Sequence, residues 1–144
     1  MNAKQIPETV LELEQWMKDH CYNFISYSIN GNFVYQGNGL EFYKDAYQWC
    51  SYDRSAKRIL KRFKKEKQAV AYAFDKITSN SWANKHLIGI YKKEELNSVL
   101  KYLIEQNIAY ETDAIHYQKE NWLTRLFVIG CDIKKIPESI KRLQ

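Results

Sequence analysis

Residues able to do chemistry are scattered through this chain of 144 residues rather than gathered into motifs. The three histidines, His20, His86 and His116, have no HxxxH, HExxH or Cys-x-x-His spacing, so no zinc site is written in the sequence. His20 and Cys21 are chain neighbours, and adjacent side chains diverge in helix or strand, which separates thiol from base. Gly37-Asn38-Gly39 lacks the third glycine and the Lys-Ser/Thr pair of a phosphate loop, and no GxSxG elbow is present. Asp113, His116 and Lys119 would supply an acid, a base and a cation for metal-free RNA cleavage, but no spacing singles them out. Glu94 and Glu95 read more simply as first-turn residues of a helix. The expectation is a protein that is not an enzyme, with no catalytic residue, no metal ligand and no cofactor.

Charge is better organised. The segment Arg54–Lys67, RSAKRILKRFKKEK, sets eight cations against Glu66 alone, a local charge of +7. The whole chain carries +5, so the remainder is −2, and basicity here is one patch. Such a patch serves nucleic acid, an acidic protein surface or solubility alone. Tyr43, Tyr47, Trp49 and Tyr52 lie beside it in sequence, and cations near flat rings can hold phosphates while bases stack. No RNP aromatic motif, GXXG loop or zinc-finger spacing accompanies them. Aromatics that alternate along strands are more often core or cross-strand partners.

The elements that must position these residues follow from periodicity. Hydrophobic residues at 45% and charged residues at 27% describe an ordinary globular chain. Ile6-Pro7-Glu8 opens a helix that runs to His20 on Val10, Leu13 and Met17. Alternation over 23–29 gives a strand, Asn30-Gly31 a hairpin turn, and 32–36 the returning strand, with 37–39 a loop. Residues 47–53 and 58–63 are strands joined by a turn at 54–57. Ala69, Val70, Ala73, Phe74 and Ile77 share one helix face; Leu96, Val99, Leu100, Leu103 and Ile104 share another. Residues 86–91 make a short strand, 108–112 and 115–118 a hairpin about Asp113-Ala114, and 122–129 a strand buried on both faces near its end. Ile136-Pro137-Glu138 starts a short terminal helix.

The sum is one α+β domain over residues 1–144: a mainly antiparallel, twisted sheet of six or seven strands with about four helices. The order helix, strands, helix runs twice, over about 7–77 and 93–143, as two diverged halves would. Core positions are Leu13, Met17, Ile25, Trp49, Phe63, Val70, Phe74, Leu96, Leu100, Leu103, Phe127 and Ile129. No stretch approaches the ~20 apolar residues of a membrane helix, and the N-terminus does not read as a secretory signal. Cys21, Cys50 and Cys131 are odd in number and far apart, which reads as reduced thiols and a cytoplasmic protein.

The stretch 48–77, QWCSYDRSAKRILKRFKKEKQAVAYAFDKI, combines an aromatic strand, a charged turn, a basic strand closing on Phe, and a helix with an acid-x-x-Ala opening. In this it resembles small immunity proteins of bacterial polymorphic toxin and contact-dependent inhibition systems. Trp49, Tyr52, Arg54, Phe63, Glu66 and Ala69 carry the resemblance; Ser55-Ala56 stands where a glycine is more usual. The resemblance implies a cytoplasmic protein that neutralises a cognate secreted toxin domain, commonly a nuclease, by covering its active site or substrate surface. Aromatic and arginine anchors of complementary charge suit that task, which nominates Tyr47, Tyr52, Arg54, Lys57, Arg58, Lys61 and Arg62 as toxin-binding residues. Glu111, Asp113 and Glu120 form the alternative interface, because inhibitors of basic nuclease clefts are often acidic. The alternative function is a small RNA- or DNA-binding domain that uses 54–67 with its aromatic neighbours.

Overall fold

A computed structural model describes residues 6–31, 34–54, 56–118 and 121–143. The chain is α+β, but its seven strands form two sheets of four and three rather than one sheet of six or seven. Each sheet lies in its own compact unit, residues 1–83 and 84–144.

The first unit opens with helix α1, Val10–Asp19. It starts later than Pro7 because Thr9 caps it: the Thr9 hydroxyl accepts from the Glu12 N–H at 3.1 Å. A second donor of that helix end, the Val10 N–H, is taken by the Glu66 carboxylate at 2.9 Å. Strands β1 (Tyr27–Ile29), β2 (Gln36–Tyr43), β3 (Ala46–Asp53) and β4 (Ala56–Phe63) lie side by side in that order, and helix α2 spans Glu66–Thr78. One face of the sheet packs on the helices. Leu40 and Trp49, cross-strand partners, join Leu13, Met17, Ala69, Val70, Ala73 and Ile77 in one buried cluster. Phe63 and Phe74 are partly buried against it, and the Tyr72 ring lies 6.1 Å from Trp49 and 5.3 Å from Phe63.

The expected hairpin at Asn30-Gly31 is corrected. Both residues take left-handed φ, 57° and 91°, but β1 pairs parallel to β2, so the chain does not fold straight back there. The glycines read as a loop, Gly37 and Gly39, lie inside β2. A Cβ on Gly39 would meet Ser28 and the Tyr52 ring at 2.8 Å, and one on Gly37 would meet the Ser26 carbonyl. Glycine therefore marks close backbone approach rather than chain reversal. The hairpin turn of this sheet is Lys44-Asp45, both left-handed at 51° and 61°. Ile25, expected in the core, is 82% exposed, because it precedes the short β1 instead of sitting in a long strand.

The second unit holds β5 (Lys85–Tyr91), helix α3 (Lys93–Glu105), β6 (Tyr110–Gln118) and β7 (Asn121–Ile129), with sheet order β5-β7-β6. β6 is continuous through Asp113-Ala114, where a hairpin was expected. Central β7 buries Leu126, Phe127 and Val128 in succession, so both of its faces are covered there. Val99 and Leu103 are buried against this sheet, Leu96 and Leu100 partly so, and Ile129 is half-buried. The chain end forms two 3-10 turns, Gly130–Lys135 and Glu138–Ile140, in place of the expected helix at Ile136. Cys50 is a buried free thiol, as expected. No described helix is long and apolar enough to cross a membrane.

Glu66 ties the starts of α1 and α2 together through one charged, half-buried acceptor. Glu66→Ala is expected to lower stability by about 1–2 kcal/mol, measured by urea unfolding, with Glu66→Gln losing less because the acceptor survives.

Candidate functional site

The basic segment becomes β4 and the entry to α2. Trp49 anchors β3 in the core, and β4 pairs with β3 alone, through Tyr47↔Phe63, Trp49↔Lys61, Ser51↔Arg58 and Tyr52↔Lys57. Of the eight residues of β4 all but Phe63 are exposed. Its side chains are divided between the two faces of the sheet. Arg58 and Lys61 stand on the helix side, in register with Ser51 and Trp49. Lys57, Ile59 and Arg62 stand on the other side, in register with Tyr52, Cys50 and Gln48.

The nominated residues divide. Arg54 sits in the turn with a left-handed φ of 53° and is exposed. Arg58, Lys61 and Arg62 are exposed, and no carboxylate among the described residues pairs with them. Lys61 instead lies over the Tyr72 ring at 4.9 Å and Phe63 at 5.5 Å, which holds its ammonium at the helix-side rim. Lys57 is tied to the Glu41 carboxylate at 2.5 Å, and that bond is the main reason its pKa is raised. The two tyrosines are structural. Tyr47 is half-buried against the core, its ring 4.8 Å from Phe42. Tyr52 lies over Gly39 and donates its hydroxyl to Glu41 at 2.9 Å; burial first, and that bond second, push its pKa up.

Three features escaped sequence reasoning. Glu41 was one carboxylate among many, yet it accepts from both Tyr52 and Lys57 and fixes the open face of the sheet. No sequence signal marks it, since its partners lie 11 and 16 residues away. Ile59 and Leu60 are exposed at 38% and 49%, placing apolar surface amid the cations. Phe42 and Tyr43, at the end of the β2–β3 hairpin, are more than half exposed, with the Lys44 and Lys57 ammoniums near the Tyr43 ring. Tyr43 was named beside the basic segment, but not its pairing with Phe42 at a hairpin end, which reading Lys44-Asp45 as a turn between two alternating runs would have found.

The alternative carboxylates are matched within their own sheet. Glu111 pairs with Lys85 at 2.9 Å. Asp113 receives two bonds from Arg125, at 2.7 and 2.5 Å, which hold its carboxyl below the usual range. Glu120 lies outside the described residues. The RNA-cleaving set is not assembled: Asp113 and His116 fall on opposite faces of β6, and the His116 ring packs 5.0 Å from Trp122. Lys119 is also outside the described residues. Among those residues, no three of His, Cys, Asp or Glu gather as a metal site would require.

Comparison with protein-family models, with curated proteins and with solved structures gives no match in any of the three.

Tyr52 offers a pH test of this face. Its folded pKa lies above the ~10 of a free tyrosine, so its stabilising share is present below about pH 10 and lost as pH rises past it. Tyr52→Phe is expected to cost about 1 kcal/mol at neutral pH and to make the stability loss above pH ~10 shallower, read from unfolding midpoints across that range.

Proposed function

We propose that this chain is an immunity-type binding protein that neutralises a cognate toxin domain, with no chemistry of its own. The carrying observation is the exposed strand β4, whose Arg58, Lys61 and Arg62 meet no carboxylate among the described residues, while the rival Glu111 and Asp113 are occupied by Lys85 and Arg125. A surface kept in that state is suited to an acidic face on a partner, such as the carboxylate-bearing catalytic surface of a nuclease. Arg54, Arg58 and Arg62 are the anchors of this reading. Lys57 and Lys61 hold the rims, and Tyr47 and Tyr52 position the strand rather than reach the partner. The cytoplasm, where an incoming toxin would be met, belongs to the same proposal and rests on the resemblance of 48–77.

The nucleic-acid alternative needs rings free to stack. Trp49 is buried, and Tyr47 and Tyr52 are engaged within the fold, which leaves Phe42 and Tyr43 as the exposed rings of this neighbourhood. Three of the four rings named for stacking are thus engaged in the fold, which weakens that alternative and leaves it to Tyr43 with Phe42 beside it.

The test is affinity for a secreted protein's C-terminal toxin domain found in the gene next to the one for this chain. Arg58→Glu with Arg62→Glu is expected to weaken binding at least about tenfold, mostly through the association rate and more at low salt. Unchanged affinity removes β4 from the interface. Labelled RNA and DNA titrated across salt should show no binding with the steep salt dependence of a phosphate-binding surface; such binding would transfer the patch to the alternative.

A further inference from the structure

The backbone of β4 is as distinctive as its side chains. The first sheet ends in β1 and β4. β1 is three residues long and wholly buried. In the second sheet the outer side of β5 is occupied by the chain end: Arg142 donates to the Ile88 carbonyl at 3.0 Å, and Ile90 donates to that of Arg142 at 2.7 Å. The other edge of that sheet, β6, is long and unpaired on its outer side among the described residues, but it carries Glu111 and Asp113, already matched by Lys85 and Arg125, where β4 carries cations that meet no carboxylate. β4 is eight residues long, has no proline or glycine, and among the described residues has no strand on its outer side. An edge of this kind presents alternate N–H and C=O groups as a template for one more strand.

Two devices that blunt such edges are present, cations and a bulge. The register steps between Trp49 and Cys50, leaving Leu60 as the extra residue of β4. These devices select among partners rather than closing the edge. A second copy adding β4 to β4 would bring four cations against four, and like charges facing each other across strands are destabilising. A strand carrying carboxylates would find them matched.

We propose that β4 accepts an extended acidic segment of a partner protein as a fifth strand. Carboxylates on one face of that segment would meet Arg58 and Lys61; those on the other would meet Arg62, beside the Glu41-held Lys57, with an apolar residue against Ile59. This deepens the binding reading above and rests on it for the partner's identity. Main-chain bonds would give affinity, and the alternate side chains specificity.

The experiment uses the full chain and an eight-residue peptide with Glu at positions 2, 3, 6 and 7 and Val elsewhere, which puts carboxylates on both faces, beside the same peptide N-methylated at alternate amides, in both phases. Amide hydrogen exchange and affinity are read together. The proposal expects new protection confined to outward amides of β4. It also expects a loss of roughly tenfold, the equivalent of about 1.4 kcal/mol, on methylating the phase that faces β4. Arg58→Glu with Lys61→Glu, at an unchanged unfolding midpoint, should abolish binding; where that variant fails to fold, the methylation series on the unmodified chain decides. No binding at millimolar peptide, equal affinity for all three peptides, or tighter protection of β4 by an RNA oligomer would overturn it. The co-encoded toxin domain separates the two claims. Toxin bound without protection of β4 overturns the added strand and leaves the binding reading standing. Peptide added to β4 with no toxin binding does the reverse.

Discussion

Packing of Trp49 against the small-residue face of α2 is the contact on which the rest of the first unit depends. Ala69, Val70 and Ala73 are small enough to let the helix lie close on β3, and Trp49 fills the space with 3% of its surface exposed. Burying an aromatic side chain of this size is worth ~2–3 kcal/mol or more, and it fixes which way every residue of β3 points. Strand alternation, stepped by the bulge at Leu60, then carries the choice to β4. Once Trp49 faces the helices, Lys61 and Arg58 must share that side, and Lys57, Ile59 and Arg62 must take the other.

The open face is held by polar contacts rather than by a helix. Glu41 accepts from Tyr52 and Lys57 in one knot, and the Tyr52 ring covers Gly39. Beneath it Cys50 and Gln48 are buried, the thiol pushed up by desolvation and the Gln48 amide oxygen lacking a hydrogen-bond partner among the described residues. A buried acceptor left unpaired costs roughly 1–3 kcal/mol, so this face is held less favourably than the helix side. The first sheet thus has one face that stabilises and one edge that is exposed and charged.

Much of this was legible in the sequence. The 3.6-residue periodicities of α2 and α3 place Val70, Ala73 and Leu103 in the core, because helix pattern is local and dense. The aromatic strand and the basic strand are found for the same reason. Reading failed where pairing is non-local. Asn30-Gly31 has the residues of a hairpin turn and their left-handed φ, yet the strand after it runs parallel to the strand before it. Ile25 looked like a core residue because alternation says which residues share a face but not where a strand begins. Among the residues that carry the resemblance, Trp49, Phe63, Glu66 and Ala69 build the fold, whereas the exposed cations between them are the candidate contacts.

Composition and order alone determined that this chain is α+β, that its basicity is one segment, and that this segment is a strand leading into a helix. Those properties depend on neighbours within a few positions. Only tertiary structure decided that the strand is an edge, that Glu41 holds Tyr52 and Lys57, and that Glu111 and Asp113 are already paired. Each depends on which strands lie side by side. That is set by the burial of distant apolar residues, Leu40 on Trp49 and Phe127 between β5 and β6, and no local run of residues encodes it.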